Sequence, residues 1–415
     1  MNNKNIQPVK GTHDIHGEEI KKFNFIVEKF YSLTNKFNFQ QVQTPIIEHQ
    51  DLFTRSVGEH TDIVSKEMYA FTDKGDSTIC LRPEATSSIA RFAASEYLSG
   101  SMKISTHGPM FRRERPQKGR YRQFHQINIE NIGEKSPYVD FEMIMVANSL
   151  LKEIGVEKKH FRLILNSLGS QADQLNYSKI LIDYLSQYRS KLSETSLSRL
   201  EKNPMRILDS KDEQDKEILT NAPVISENLS QESTVYFNQV KELLDNNGID
   251  YTIDHKLVRG LDYYTDTAFE FQTNEDKRQN AILAGGRYDK LISFISPRDI
   301  PGVGWAAGIE RLMSLVNIKN DKEEKLKVLL AVQNDQFLLK SEILKKIYNL
   351  NCIHEIKINK NIKKIFSYAD KNNFDFILLI GDEENLNNKI VLKNLKTKEQ
   401  KIFYQSEIKL DHEIR

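Results

Sequence analysis

The spacing of apolar residues changes several times along this chain, and each change marks an element. Over residues 18–37, Ile20, Phe23, Val27, Phe30, Leu33 and Phe37 recur at helical spacing, which predicts an amphipathic helix with that face in a core. Residues 39–48 read as extended, and Pro45 bars them from a fully paired central strand. Residues 68–73 and 78–82 flank Lys74-Gly75-Asp76 as a hairpin that leads into a helix starting near Pro83, with Glu84 and Thr86 in its first turn. A carboxylate there can simply answer the helix dipole. Residues 108–130 form a second hairpin, its loop marked by Pro116 and Gly119. On the returning strand, alternation puts Arg122, Phe124, Gln126, Asn128 and Glu130 on one face, and His125, Ile127 and Ile129 on the other. One face packs and the other is built to bind. A helix over about 139–154 follows.

Residues 170–247 are polar and helical in pattern and read as an inserted module. Strand-like, glycine-punctuated sequence then returns at 257–271, 281–291 and 302–312. Each of these stretches carries an arginine, suggesting close backbone approach to a ligand, with ordinary turns and surface arginines as the plain alternative. Beyond Asn320 the texture alternates: strand 327–332, helix 339–350, strand 352–356, helix 362–371, strand 374–380, then extended runs at 389–395 and 401–404. This is a small α/β domain. The divisions expected are 1–169 and 248–320 as two parts of one domain, 170–247 as the insertion, and 325–415 as the tail domain.

Composition bounds the chemistry. At 415 residues the chain can form two or three domains. Its net charge is only +1, from 59 basic and 58 acidic residues, so contact with nucleic acid must come from local patches. The mild lysine excess of residues 340–364 suits such a patch and suits a solvated helix face equally. No segment has the apolar length to span a bilayer and the first residues lack a signal-peptide core, so a cytoplasmic protein without membrane partners is expected. Cys80 and Cys352 are far apart and support neither a disulfide framework nor a cysteine metal cluster.

The densest charge lies in the second hairpin, where Arg112, Arg113, Arg115, Lys118, Arg120 and Arg122 face the single acid Glu114. Such a cluster needs an anion to offset it. Arginines, an aromatic ring, an amide and a carboxylate together suit a ligand with phosphate, a flat base and a cationic or donor end.

Phe111-Arg112-Arg113-Glu114 with its basic loop and antiparallel return resembles motif 2 of class II aminoacyl-tRNA synthetases. Gly308-Ile309-Glu310-Arg311 resembles their motif 3, and the extended segment around Pro45 resembles motif 1, the dimer-forming one. Arg259-Gly260-Leu261-Asp262-Tyr263-Tyr264 and Ala284-Gly285-Gly286-Arg287-Tyr288-Asp289 resemble the two histidine signatures of the histidyl-tRNA synthetases; Lys10-Gly11-Thr12-x-Asp14 and Leu81-Arg82-Pro83-Glu84 fit the same family. One departure is Ala85, where the family usually has Gly.

The resemblance covers essentially the whole chain. It implies an α+β catalytic domain built on an antiparallel sheet, a helical insertion and a C-terminal α/β anticodon-binding domain. It implies activation of L-histidine by ATP with Mg²⁺, charging of tRNA(His), a homodimer, and no dedicated metal site. Arg112 and Arg259 would grip the α-phosphate as the catalytic pair, Arg259 partly filling a metal's role, and Arg311 would hold the γ-phosphate. Glu114, Arg120 and Phe124 would form the adenine site. Glu84, Thr86 and Gln126 would hold the ammonium and carboxylate of histidine, with Glu130, Tyr263 and Tyr264 around its ring. Arg115, Gln117 and Lys118 would meet the tRNA acceptor end, which in this family carries an additional 5′ guanosine. The competing reading is the synthetase-like regulatory subunit of ATP phosphoribosyltransferase, which binds histidine without charging tRNA and is expected to lack the anticodon domain.

Overall fold

In the computed structural model the chain forms two units, Met1–Ile318 and Lys319–Arg415. The described residues are 6–59, 61–97, 99–115, 119–258, 261–274, 280–317, 325–339 and 341–414. In chain order the strands of the first unit are β1 (Gln40–Gln41), β2 (Ile47–His49), β3 (Tyr69–Thr72), β4 (Thr78–Leu81), β5 (Met102–Phe111), β6 (Gln123–Ile132), β7 (Phe161–Ser167), β8 (Tyr251–Ile253), β9 (Thr265–Thr273), β10 (Ala281–Arg287) and β11 (Gly302–Gly308).

Eight of these make one sheet in the order β1-β5-β6-β11-β10-β9-β7-β8. Its interior pairings are antiparallel, and parallel pairing enters at the two ends, β1 with β5 and β8 with β7. The expected antiparallel catalytic sheet is therefore present. The segment around Pro45 behaves as a proline-bearing stretch should: it pairs briefly at a sheet edge as β1, then joins a separate β2-β4-β3 sheet.

The back of the large sheet is its core. Ile127, Ile129, Phe269, Phe271 and Trp305 pack against the helix Pro137–Glu153, which Ser136 caps, and against the helix Glu18–Lys36. The buried stripe of the latter is Ile26, Phe30 and Leu33, while Ile20, expected in it, is exposed. The helix expected near Pro83 begins at Thr86 and runs to Glu96, because Pro83 and Glu84 still complete the turn out of β4.

The polar stretch after residue 170 is helical, as expected, with Gln171–Ser186, Glu194–Lys202, Glu213–Ile218 and Gln231–Asn246. The first three share a core of their own around Tyr177, Leu181, Leu185, Leu200 and Ile207. The fourth instead places Phe237, Val240 and Leu244 in the core of the large sheet.

The second unit has β12 (Lys327–Val332), β13 (Ile353–Ile358), β14 (Phe376–Ile380), β15 (Lys389–Asn394) and β16 (Gln400–Tyr404), in the order β13-β12-β14-β15-β16. Its helix Ile343–Tyr348 is shorter than the expected 339–350, since a 3₁₀ turn at Asp335–Leu338 precedes it and Leu339 is exposed. Lys346, from the lysine-rich stretch, donates to the carbonyls of Gln405, Ser406 and Ile408 and so ties down the chain after β16.

Candidate active site

Register decides what stands on the open face of the sheet. Phe124, Gln126, Asn128 and Glu130 alternate along β6 toward that face, and β11 sets Gly308, Ala306 and Gly304 across from the last three. A Cβ on Gly304 would collide with the Glu130 carboxylate, and one on Gly302 would collide with the Tyr288 ring. The glycine-rich stretch 302–308 thus seats protein side chains. Its alternate residues Val303, Trp305 and Ala307 fill the core behind.

At one end of this floor Glu130 is fully buried. Its carboxyl accepts from the Thr86 hydroxyl at 2.7 Å and from the Tyr288 hydroxyl at 2.5 Å. Burial pushes its pKa up to about 8, against the opposing pull of the two hydroxyls and with a small push from the Glu84 charge. Tyr263 and Tyr264 are also buried, their rings 4.6 Å apart, and Tyr263 lies edge-on to Tyr288 at 5.7 Å. Glu84 precedes the helix and caps it, accepting from the backbone N–H of Thr86 at 2.7 Å and of Ser87 at 2.8 Å. The dipole-answering reading of Glu84 therefore has a physical basis in the fold. Ala85 is wholly buried beside Ile89 and Ala90, so the methyl that departs from the family pattern packs into the core.

At the other end Arg112 donates through Nε to the Pro83 carbonyl at 2.9 Å, with its guanidinium 5.3 Å from the centre of the Phe124 ring. Glu114 is buried, pairs with Arg120 and lies 4.0 Å from Arg112. Burial pushes the pKa of the Arg311 guanidinium down, Glu270 raises it and Arg120 lowers it further. A cleft of about 540 Å³ is lined by Arg112, Glu114 and Arg120 together with Arg199, Arg206 and Lys211 of the helical module. Arg115 is exposed at the hairpin tip. Arg259, Gln117 and Lys118 lie outside the described residues.

Four residues differ from the sequence reading or escaped it. Arg287, the arginine of one of the three glycine-punctuated stretches, points to the back of the sheet. It is fully buried and bonds Asp140 at 2.5 and 2.9 Å and Asp289 at 2.9 Å. Alternation along β10 agrees with this, since Leu283, Gly285 and Arg287 pair with Ala307, Trp305 and Val303, the β11 residues that face the core. Tyr288, next in sequence, is the missed partner of Glu130; its place inside a signature stretch was the available signal. Arg82 is a strut, buried and donating to the Pro109 and Thr44 carbonyls and the Thr44 hydroxyl. Glu310 accepts from the backbone N–H and ring Nδ1 of His125, joining the start of the helix Ile309–Met313 to β6.

The family model described as histidyl-tRNA synthetase matches residues 11–312, and that of the anticodon binding domain matches residues 327–412. A histidine–tRNA ligase of Wolbachia pipientis subsp. Culex pipiens is 42% identical over 399 residues, covering 95% of this chain and 97% of that protein. A chloroplastic histidine–tRNA ligase of Gracilaria tenuistipitata var. liui is 43% identical over 417 residues, covering 98% and 99%. The crystal structure of apo S. aureus histidyl-tRNA synthetase superposes with a TM-score of 0.77 at 33% identity, covering 97% of this chain and 98% of that one. On these matches and on its catalytic sheet, the chain belongs to the histidyl-tRNA synthetase family.

Proposed function

We propose that this chain is a histidine–tRNA ligase. An oxygen of the histidine carboxylate attacks the α-phosphorus of ATP, the bond to the pyrophosphate leaving group breaks, and histidyl-adenylate forms. The 3′-terminal ribose hydroxyl of tRNA(His) then attacks the acyl carbon and AMP leaves. The observation that carries this reading is the buried Glu130 carboxyl, held by Thr86 and Tyr288 at one end of a floor whose other end gathers Arg112, Glu114, Arg120 and Phe124.

Each end suits its substrate. The planar donor forks of Arg112 and Arg311, joined by Arg259, neutralise charge as it spreads over the phosphates, which is most of what phosphoryl-centre displacement requires. Phe124 offers a face to adenine, with Glu114 to accept from its exocyclic amine and Arg120 beside it. Mg²⁺ enters on the oxygen-rich triphosphate, which suits a hard cation. Glu130, with Tyr263 and Tyr264, faces the imidazole, while Glu84, Thr86 and Gln126 take the ammonium and carboxylate. The exposed Ile46, Ile47 and Phe71 of the β2-β4-β3 sheet support a homodimer through the Pro45 segment. Transfer RNA as a partner fits a cytoplasmic protein, and no described helix is long and apolar enough to cross a membrane. A histidine-binding regulatory subunit would need neither these arginines nor the unit that matches the anticodon binding domain.

Charging of total tRNA with labelled histidine tests the reading; histidine binding without charging would favour the regulatory subunit. The hairpin tip gives a finer prediction. Arg115→Ala should slow transfer of histidine to tRNA about tenfold, on the order of 1.4 kcal/mol, while ATP–pyrophosphate exchange stays within about twofold. Equal losses in single-turnover transfer and in exchange would reject that division of labour.

A further inference from the structure

The middle of the floor carries polar atoms that the fold leaves unmatched, two of them on a residue the reaction scheme does not use. Asn128 stands between Gln126 and Glu130 on β6 with none of its surface exposed, and neither Nδ2 nor Oδ1 has a partner among the described residues. Thr106, directly across from it on β5 and equally buried, has an unpartnered hydroxyl. Gln126, only 9% exposed, buries an unpartnered Oε1. Four hydrogen-bonding atoms on adjacent same-face positions are thus left unmatched among the described residues, where a buried polar group ordinarily finds a partner. Their neighbours across the sheet, Ala306 and Gly308 on β11 and Gly108 on β5, are too small to supply one.

Distance favours a bridge over direct contact. Same-face neighbours along a strand are about 6.8 Å apart at Cα, and where their side chains lean toward one another a water with two hydrogen bonds of about 2.8 Å links tips about 4.5 Å apart. Three side chains offering donors and acceptors meet the two to four partners, roughly, that a buried water needs.

We infer that Asn128 and Thr106 hold one ordered water that donates to Gln126 Oε1, fixing the Gln126 amide so that its Nε2 faces the carboxylate of the bound amino acid. Asn128 is then a positioning residue that acts through Gln126 and touches no substrate. This rests on the reading of the site as one for histidine. It adds the consequence that affinity for the amino acid, and not for the nucleotide, depends on a residue below the site.

Calorimetric titration with L-histidine, and separately with a non-hydrolysable ATP analogue, tests this on the full-length wild type and on Asn128→Ala, Thr106→Val, Gln126→Ala and the Asn128→Ala/Gln126→Ala double variant. The expected result is an approximately tenfold weaker histidine Kd for Asn128→Ala and a smaller shift in the same direction for Thr106→Val, with the analogue Kd within about twofold throughout. The double variant should bind histidine no more weakly than Gln126→Ala alone. Asn128→Ser, which can still hold the water, should recover part of the loss. An unchanged histidine Kd in both Asn128→Ala and Thr106→Val overturns the inference, as does additivity in the double variant or an equal loss for the analogue. If Asn128→Ala does not fold, Thr106→Val and its double with Gln126→Ala decide by the same criteria. Failure of the wild type to bind histidine would overturn the site reading itself along with this inference.

Discussion

Glu130→Ala is expected to lower histidine-dependent ATP–pyrophosphate exchange by about a thousandfold, on the order of 4 kcal/mol, with the protein still folded. The size follows from where the carboxyl sits. Both of its oxygens are engaged, by Thr86 and by Tyr288, and Gly304 leaves the space it occupies. Truncation would remove the group proposed to face the imidazole and would also strand two hydroxyls in a buried place, so the substrate's own donors could not recover the loss. Measured kcat/KM in exchange checks this; an unchanged value would mean that the imidazole is read elsewhere.

The same carboxyl makes a prediction about pH with a definite sign. Its pKa rises from 4.5 in the unfolded chain to about 8 in the fold, chiefly through burial. Below pH 4.5 both states are protonated and the shift has no effect. Between those values the unfolded chain is ionised and the fold is not, so stability falls as pH rises and levels off above about 8, at a loss of at most about 5 kcal/mol. Glu130→Gln in the ligand-free protein is therefore expected to melt above the wild type at pH 8, with the difference closing toward pH 5. A destabilised Glu130→Gln at pH 8 would contradict the assignment of the raised pKa.

The second large effect concerns Arg287. Arg287→Ala should cost about 3–5 kcal/mol of stability and lower Tm by on the order of 10 °C, because it leaves Asp140, itself fully buried, without its cationic partner. The paired replacement Asp140→Leu with Arg287→Met should recover most of that, since removing both charges leaves neither one desolvated and alone. Thermal melting of the three proteins separates this from a role at the substrate. A melt unchanged in Arg287→Ala would show that the pair contributes little.

Arg287 also shows where reading the sequence reaches its limit. The alternation along β6 was legible because that strand keeps its register with both neighbours, so residue parity alone separates Ile127 and Ile129 from Gln126 and Glu130. The second unit was legible for a related reason: its strands are short apolar runs bounded by turns, and the helix Ile362–Lys371 coincides with the expected one. Arg287 was not legible as a structural residue, because its buried partner Asp140 is 147 residues away in the chain. Tyr288 was missed because its partner Glu130 is 158 residues away in the chain, a contact only the sheet creates. The packing of the helix Gln231–Asn246 on the large sheet was not legible because its exposed face outnumbers Phe237, Val240 and Leu244, the few residues that tie it to the catalytic core. Motif resemblance supplied the chemistry, and packing then assigned Arg82 and Arg287 to structural work and Glu84 to a helix cap as well.

The most direct test of the central claim is ATP–pyrophosphate exchange measured with each of the standard amino acids in turn on the full-length protein. The account predicts exchange with histidine and with no other. Exchange driven by a different amino acid, or histidine binding without any exchange, would contradict it.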